Sequence, residues 1–382
     1  MNDFKPKNIL ILGGSGNTGR QIAGLLLQET ALSLVLAGRA LSKAEAVALE
    51  LNQRFSGERV SAISLDAADS ESLAGALSGV DLLLVASSTS AYTADVAQAA
   101  LACGVDYMDV QYSTAKLDLL KAKEEEIKAA GLCFITDGGF HPGLPAALVR
   151  YTGLYFDRLE RANVGSVIKI DWAALDIGMD TVDEMLLEFR DFKPLAFQAG
   201  QWKQVSMWKP MSMDFGGVFG KQPCVAMYLE EMHSLPDLLP GLQETGFYVG
   251  GFNWFVDWLV TPLALASLRI WPRASLRPMA RLMLWGLRTF SKPPYGTLLK
   301  CESAGWKDGK LLKDDLILSH PDGYTLTAIP VVACLLQYLD GSIRQPGLWF
   351  QSQIVDAERM LADMQRMGVA VSQSIRELVQ AS

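Results

Sequence analysis

The chain has little of what disulfide-bonded and metal-binding proteins are rich in. Its 382 residues include only five cysteines and three histidines, and no two cysteines have C-x-x-C spacing. An odd number of scattered cysteines makes neither a disulfide framework nor a zinc site, so we expect reduced thiols and no metal. Residues 1–7 hold no apolar stretch of the kind that directs secretion, so we expect a cytoplasmic protein.

Positive charge is also scarce. The 34 Lys and Arg residues are outnumbered by 42 Asp and Glu residues, which gives a net charge of -8. A nucleic-acid partner needs a basic face, so we expect none. The chain also lacks an apolar run long enough to span a membrane, since Asn253, Asp257 and Pro262 interrupt the most promising segment. Half of the residues are hydrophobic, which is enough for a large core and two domains.

What the chain does have is a glycine-rich loop directly after an apolar strand candidate, Ile9–Leu12. Gly14, Gly16 and Gly19 give the G-x-G-x-x-G spacing of a dinucleotide-binding turn, with a strand before it and a helix after it. Phosphates would bind at the amides of that helix N-terminus. The predicted cofactor-binding residues of this loop are Gly13, Gly14, Ser15, Gly16, Asn17, Thr18 and Gly19.

The residue after the second strand candidate, 34–38, indicates which dinucleotide binds. An acid there would hold the ribose 2'-hydroxyl of NAD, but this chain has Arg39. A cation suits a 2'-phosphate, so the sequence predicts NADP rather than NAD, with Ser42 and Lys43 as second contacts. The alternative is that Arg39 is an ordinary exposed loop arginine.

Strand and helix patterns alternate up to about residue 139. Further strands are predicted at 60–65, 80–86, 107–110 and 132–136, with helices at 92–103 and 116–130. This alternation predicts a doubly wound parallel sheet, in which ligands bind beyond the carboxyl ends of the strands. Asp66 is then expected near the adenine, and Ser87 and Ser88 near the nicotinamide, although Asp and Ser after a strand also cap helices.

The pattern changes near residue 140. Alternating strand candidates follow at 200–208, 297–306 and 310–319, with turn residues Asp308-Gly309 between the last two. We therefore predict a Rossmann domain over 1–139 and an α+β domain with a mainly antiparallel sheet over 140–327. Residues 328–382 are predicted to be C-terminal helices, at 328–339 and 353–367, that pack back on the Rossmann domain.

The segment 252–295 departs from the acidic composition of the chain. It contains six basic residues, one acid and four of the nine tryptophans. Apolar helical stripes usually mark buried surface, which favours helices at a domain or homodimer interface. The second interpretation is a peripheral contact with an anionic membrane surface, or a cover over a lipophilic substrate.

Several motifs resemble the saccharopine dehydrogenase-like oxidoreductases, which have an N-terminal NADP-binding Rossmann domain. The matching segments are the glycine loop and residues 37–39, 102–110, 139–144 and 322–328. The resemblance implies an inserted α/β domain with substrate contacts. It also implies hydride transfer at the C=N bond of an imine or secondary amine, or at the C=C bond of a lipid chain. It does not name the small-molecule substrate.

Two residues are candidates for catalysis. His141 replaces the acid of the family's G-x-D-P-G loop, which in the resembling enzymes lies near the nicotinamide. It could act as a general acid or base, or cap the helix that begins at Leu144. Tyr112 and Lys116 have the Y-x-x-x-K spacing of short-chain dehydrogenases, which arises easily by chance, so Tyr112 is a substrate-pocket candidate. A non-catalytic NADP sensor and a peripheral membrane enoyl reductase are the alternative functions.

Overall fold

The computed structural model describes residues 8–175, 177–190, 192–207 and 209–378. The ends of the predicted segments 1–139 and 328–382, and Trp208 of the predicted strand 200–208, lie outside these residues. The chain divides into two compact units. One contains the residues up to 144 together with 324–367, and the other contains 145–323 together with the residues from 368 onward.

The strands and helices are numbered in chain order. The strands are β1 Asn8–Leu12, β2 Ser33–Gly38, β3 Val60–Ser64, β4 Leu82–Val85, β5 Asp106–Asp109, β6 Cys133–Thr136, β7 Arg158–Lys169, β8 Leu195–Gln198, β9 Gln201–Gln204, β10 Met211–Asp214, β11 Lys221–Ala226, β12 Glu244–Gly250, β13 Gly296–Lys307, β14 Lys310–His320, β15 Gly347–Phe350 and β16 Ala370–Glu377. The α-helices are α1 Asn17–Glu29, α2 Leu41–Arg54, α3 Ser70–Ala76, α4 Thr93–Cys103, α5 Thr114–Lys121, α6 Glu124–Ala129, α7 Pro145–Gly153, α8 Met179–Arg190, α9 Leu235–Leu238, α10 Thr261–Ile270, α11 Pro272–Phe290, α12 Gly323–Leu339, α13 Gln351–Ile354 and α14 Ala357–Arg366. A π-helix, Val256–Val260, runs into α10.

The first unit is built on a parallel sheet of seven strands in the order β15-β6-β5-β4-β1-β2-β3. Strand β1 pairs with β2 on one side and with β4 on the other, so the strand order reverses at β1. Its residues Ile9–Leu12 are buried without alternation, as expected for a strand covered on both faces. The predicted doubly wound parallel sheet is confirmed.

The C-terminal part of this unit is joined to the sheet by a strand and by buried polar contacts. Strand β15 pairs with β6. At the start of β5, the buried Asp106 accepts hydrogen bonds from the Tyr338 hydroxyl at 2.6 Å and from Arg344 Nε at 2.7 Å. The sequence predicted only helices within 328–382, at 328–339 and 353–367. The strands β15 and β16 correct that prediction.

The second unit contains a mixed sheet whose main path is β10-β11-β12-β7-β13-β14-β16, with β8 and β9 attached to β12. Within it, β12 and β7 run parallel and the other pairs are antiparallel. The predicted turn between β13 and β14 is confirmed, since Asp308 and Gly309 both have positive φ, 50° and 74°. This agrees with the predicted α+β class.

Some predicted helices are shorter than expected. The helix predicted over 116–130 is divided into α5 and α6, and the one predicted over 353–367 into α13 and α14. Asp356 causes the second break, because its carboxylate caps α14 by accepting from the Arg359 amide.

Three general features of the described residues bear on function. Four cysteines are buried and all five are free thiols, with Cys103 exposed. No group of three or more His, Cys, Asp or Glu side chains is arranged to hold a metal ion. No helix is both long enough and apolar enough to cross a membrane.

Candidate functional site

The candidate residues lie along one edge of the first sheet. Because the strands are parallel, the residues that follow them share the carboxyl edge. In sheet order, His141 follows β6, Tyr112 follows β5, Ser87 and Ser88 follow β4, the glycine loop follows β1, Arg39 follows β2 and Asp66 follows β3. A dinucleotide held at the central loop would therefore have Arg39 on one side and the catalytic candidates on the other.

The glycine loop leaves no space for side chains at three positions. A Cβ on Gly13 would lie 2.6 Å from the Ser87 Cβ, and Gly13 also has a φ of +85°. A Cβ on Gly14 would lie 2.8 Å from Leu36 Cδ2, and one on Gly19 would lie 2.3 Å from the Gly13 carbonyl oxygen. Glycine therefore lets the turn pack against β2, β4 and the start of α1.

The N-terminus of α1 is suited to an anion. Gly16 is its N-cap residue, no side chain caps it, and its first turn contains no acid. The helix dipole and the amides of this turn favour a negatively charged group. The close-packed glycines and this uncapped end together fit the diphosphate of a dinucleotide.

Arg39, the predicted contact of a 2'-phosphate, lies beside the glycine loop. It is exposed directly after β2, and the neighbouring Gly38 lies against the loop, with an ideal Cβ 3.8 Å from Ser15 Oγ. Lys43 is exposed in the first turn of α2. The end of β2 thus presents cations beside the phosphate-binding loop, and no carboxylate precedes α2 there.

Replacing Arg39 with Ala tests this placement. Loss of a charge-assisted hydrogen bond to the 2'-phosphate weakens NADPH binding by about 1.5–3 kcal/mol, roughly 10- to 150-fold. NADH has no 2'-phosphate, so its affinity stays unchanged. Fluorescence titration of both nucleotides measures the two constants, with the exposed Arg54→Ala as the control. An unchanged ratio of the two affinities would contradict the role of Arg39.

Asp66 and Ser87 have local partners at the same edge. The exposed Asp66 carboxylate accepts a hydrogen bond from the Ala68 amide at 3.1 Å, and the cap of α3 is Asp69. The Ser87 hydroxyl lies 3.0 Å from Thr89 Oγ1, and the Ser87 carbonyl accepts from Gln111 Nε2 at 2.6 Å. Gln111 thus connects the residues that follow β4 and β5. Cofactor contacts by Asp66, Ser87 and Ser88 stay predictions.

A fully buried lysine holds together the ends of β5 and β6. Lys116 Nζ donates to Asp109 Oδ1 at 2.7 Å, Asp137 Oδ1 at 2.6 Å, Thr136 Oγ1 at 2.8 Å and the Gln111 carbonyl at 2.6 Å. The Asp109 carboxylate also accepts from the Tyr107 hydroxyl, from Thr136 and from the amides of Gln111 and Asp137. These contacts fix the strand ends beneath the candidate site.

The charges of this cluster explain how a lysine can be buried there. Burial by itself lowers the pKa of Lys116, but the charges and hydrogen bonds of Asp109 and Asp137 outweigh that effect and raise the pKa above its usual value. Lys116 therefore stays protonated at neutral pH. One cation and two carboxylates leave the cluster with a net charge of -1, which favours a positively charged group nearby.

Tyr112 is not among the four acceptors around Lys116 Nζ in the described structure. The Y-x-x-x-K spacing therefore does not produce the tyrosine–lysine pair of short-chain dehydrogenases here. Tyr112 is partly buried and follows β5 by three residues. It stays a candidate for substrate contact.

The loop from Asp137 to Gly143 has an unusual backbone. Asp137 has a φ of +55°, which only a few non-glycine residues adopt. Gly143 has a φ of +118°, and a Cβ there would lie 2.5 Å from the Gly139 carbonyl oxygen. The buried Gln351 side chain holds both ends of the loop, donating to the carbonyls of Gly139 and Gly143 at 3.0 and 3.1 Å. The loop that carries His141 is therefore held in one shape.

His141 stacks on Phe140, with ring centroids 4.1 Å apart. The imidazole keeps a small exposed fraction, but the surrounding protein desolvates it and lowers the pKa of His141 to about 4. The ring is therefore neutral at pH 7. A neutral imidazole can accept a proton or a hydrogen bond, but it does not serve as a cationic acid at that pH.

The sequence did not identify Asp109, Asp137 and Gln351 as parts of the site. The two acids carried a usable signal, since each comes at or directly after the end of a predicted strand. Gln351 carried none, because its partners are more than 200 residues away in the chain.

Comparisons with known proteins agree with this geometry. Residues 9–134 match the family model for the saccharopine dehydrogenase NADP binding domain. A carboxynorspermidine synthase of Vibrio cholerae is 24% identical, in a match that covers 89% of this chain and 91% of the synthase. The structure of a Saccharomyces cerevisiae saccharopine dehydrogenase (L-Glu forming) has a TM-score of 0.68 and 16% identity, covering 97% of this chain and all of that one.

These similarities concern more than the glycine loop. The family model covers β1 to β6, and the synthase and the dehydrogenase match the chain along most of its length. The predicted NADP specificity agrees with the matching NADP binding domain. The chain therefore has an N-terminal NADP-binding domain of the saccharopine dehydrogenase type, and it is similar to the carboxynorspermidine synthase along most of its length.

Proposed function

We propose that this oxidoreductase forms or oxidises a secondary amine by hydride transfer at a C=N bond. The observation that carries the proposal is the similarity to a carboxynorspermidine synthase along 89% of the chain. This match extends far beyond the cofactor domain. The yeast enzyme that shares this fold is a saccharopine dehydrogenase (L-Glu forming), which supports the same class of reaction.

NADPH, when bound, supplies the hydride for such a reaction. The chain supplies the binding groups: the glycine loop and the N-terminus of α1 for the diphosphate, and Arg39 for the 2'-phosphate. In reduction, the iminium carbon receives the hydride and the electron pair of the C=N bond moves to nitrogen. The product is a neutral secondary amine, so no further proton is needed.

The electrostatics of the β5 and β6 ends favour a C=N bond over a C=C bond. The Lys116 cluster has a net charge of -1, and His141 is neutral at pH 7. An iminium is a cation, which this environment stabilises and a protonated histidine would repel. Reduction of an enoyl C=C bond would instead need support for a developing oxyanion, and a net negative cluster opposes that.

In this proposal His141 accepts a hydrogen bond from the iminium N–H. In the reverse direction the amine binds as an ammonium, and His141 accepts its extra proton before the hydride leaves the carbon of the neutral amine. Tyr112 offers a second polar contact after β5. An NADP sensor without turnover is less well supported, because the similarity to enzymes covers both units. The free cysteines support a cytoplasmic location, and the homodimer stays a prediction.

The pH dependence of amine oxidation tests His141. We expect kcat/KM to fall with an acid limb near pH 4, because protonation of His141 with its pKa of about 4 removes the proton acceptor. His141→Leu lowers kcat by about 100-fold, whereas His141→Gln, which keeps a hydrogen-bond acceptor, loses less and shows no such limb. NADP+ is the nucleotide to use because it is stable in acid. An acid limb unchanged in His141→Gln would contradict the role.

The proposed reaction itself is tested by NADPH oxidation in the presence of an amine together with an oxo acid or aldehyde. Oxidation should require both compounds and should yield a secondary amine. Oxidation driven by an enoyl compound alone would favour the lipid reductase, and binding of NADPH without turnover with any pair would favour the sensor.

A further inference from the structure

The segment 252–295 has an inner face and an outer face. The inner face of the π-helix and α10 carries Val256, Val260, Ala264 and Leu268, spaced four residues apart and buried in a core with α8 and α11. This part of the segment is buried within the second unit, and the domain or homodimer interface stays a prediction. The outer face is exposed, so burial within the chain does not explain its composition.

The outer face of the π-helix and α10 is almost entirely apolar. From residue 258 to 270 its exposed residues are Trp258, Leu259, Pro262, Leu263, Ala266, Arg269 and Ile270. The side chains of Trp258 and Ile270 are 71% and 62% exposed. A contiguous apolar stripe of this kind on a protein surface indicates a contact with a membrane or with another molecule.

The adjoining helix adds tryptophans and arginines. Trp271, just before α11, is 65% exposed and Trp285 is 52% exposed. Arg273, Arg277 and Arg281 follow at four-residue spacing and are all exposed. Arg277 pairs with Asp180 and Asp183 of α8, whereas no ion pair within the described residues involves Arg273 or Arg281, which are exposed.

The charge of this segment indicates whether the outer face contacts a second copy of the chain or an anionic surface. Six cations and one acid give the segment +5, while the whole chain has -8, so the remaining residues sum to -13. A symmetric contact between two copies would bring the exposed Arg269, Arg273 and Arg281 of one copy close to those of the other. An anionic surface attracts this face and repels the rest of the chain, so it also orients the protein.

We propose that the outer face of the segment 252–295 docks onto a bilayer surface that contains anionic phospholipids. The apolar stripe of the π-helix and α10 enters the interfacial region, and the tryptophans lie at headgroup level. Arg269, Arg273 and Arg281 contact the lipid phosphates. The helices lie on the bilayer and do not cross it, since no described helix is long and apolar enough to span it.

Flotation of the full chain with vesicles tests this proposal. We expect binding to phosphatidylcholine vesicles that contain phosphatidylserine, weaker binding in high salt, and little binding to phosphatidylcholine alone. The double variant Trp258→Ser/Trp271→Ser should weaken binding by about tenfold or more. The triple variant Arg269→Gln/Arg273→Gln/Arg281→Gln should weaken it by about 100-fold at low salt.

Matched controls distinguish binding by this surface from nonspecific binding by exposed apolar or cationic side chains elsewhere. Leu49→Ser/Leu154→Ser removes side chains that are 61% and 64% exposed elsewhere, and Arg54→Gln/Lys128→Gln/Lys221→Gln removes three exposed cations elsewhere. Both controls should bind vesicles like the parent, and circular dichroism should show that all four variants are folded. Sedimentation should show the same association state for the parent and for Trp258→Ser/Trp271→Ser.

Three results would overturn the proposal. The first is a parent chain that floats with neither kind of vesicle. The second is a tryptophan variant that binds anionic vesicles as well as the parent. The third is a parent that does not bind vesicles but dissociates into monomers when Trp258 and Trp271 are replaced, which would assign the face to contact between copies of the chain.

Discussion

Gly19→Ala is expected to weaken NADPH binding by 100-fold or more and to destabilise the fold by about 1–3 kcal/mol, as overpacking does. The added Cβ would lie 2.3 Å from the Gly13 carbonyl oxygen and 2.9 Å from the Gly14 Cα. Both neighbours are backbone atoms, so they cannot rotate away as a side chain would. The N-terminus of α1 must therefore move off the loop, which separates the amides that bind the diphosphate.

A second glycine in the same helix provides the control. A Cβ on Gly24 would meet only Leu51 Cδ2, at 3.9 Å. Gly24→Ala should leave NADPH affinity unchanged and stabilise α1 by about 0.5–1 kcal/mol, because alanine is the better helix former. Fluorescence titration and urea denaturation measure both quantities. Equal NADPH affinities for the two variants would show that the loop does not hold the cofactor as described.

Lys116→Met is expected to lower the free energy of unfolding by about 3–5 kcal/mol. Methionine fills much of the same volume but removes the ammonium that pairs with the buried carboxylates of Asp109 and Asp137. The substitution also removes the contact between Lys116 and Asp137, the residue with positive φ at the start of the 137–143 loop. We expect lower activity together with the lower stability.

The pH dependence and a double variant identify the cause of this loss. In the parent the pKa of Lys116 is raised above its usual value by Asp109 and Asp137, so its contribution to stability is constant through neutral pH and is lost only as pH rises through that raised pKa. In Lys116→Met, stability should instead recover toward acidic pH, where a carboxylate can take up a proton. Lys116→Met/Asp137→Asn, which removes one of the two carboxylate charges, should be more stable than Lys116→Met at pH 7. A double variant less stable than the single one would refute the charge argument.

The cofactor half of the site could be predicted from the sequence because its signals are local. The strand, turn and helix around Gly13–Gly19 are consecutive in the chain, and Arg39 follows its strand directly. Strand direction then places every following residue at one edge of the sheet. The pattern therefore predicted both the parallel sheet and the position of its ligand.

The other half depends on contacts that no local pattern encodes. The spacing of Tyr112 and Lys116 suggested a pair, but the lysine is directed to Asp109 and Asp137 at the ends of two strands. Gln351 reaches a loop 212 residues earlier in the chain. Strand β16 was missed because its exposed side chains give little apolar alternation. Its pairing with β14 is what defines it.

The segment 252–295 was only partly predictable for a related reason. Its composition indicated amphipathic helices with tryptophan and arginine, but periodicity alone does not tell which of two apolar faces is inside. The chain has apolar residues on both sides of the π-helix and α10, and only packing against α8 and α11 makes Val256 and Val260 the inner face. The exposed side then requires its own explanation.

The most direct measurement of the central claim uses NADPH with deuterium at the transferable position of the nicotinamide C4. The protein is supplied with pairs of an amino acid or diamine and an oxo acid or aldehyde, and the products are analysed by mass spectrometry. The proposed function predicts a secondary amine with one deuterium on the former carbonyl carbon, formed only when both compounds are present. Deuterium transferred only to an enoyl compound, or no transfer by a chain that binds NADPH, would contradict it.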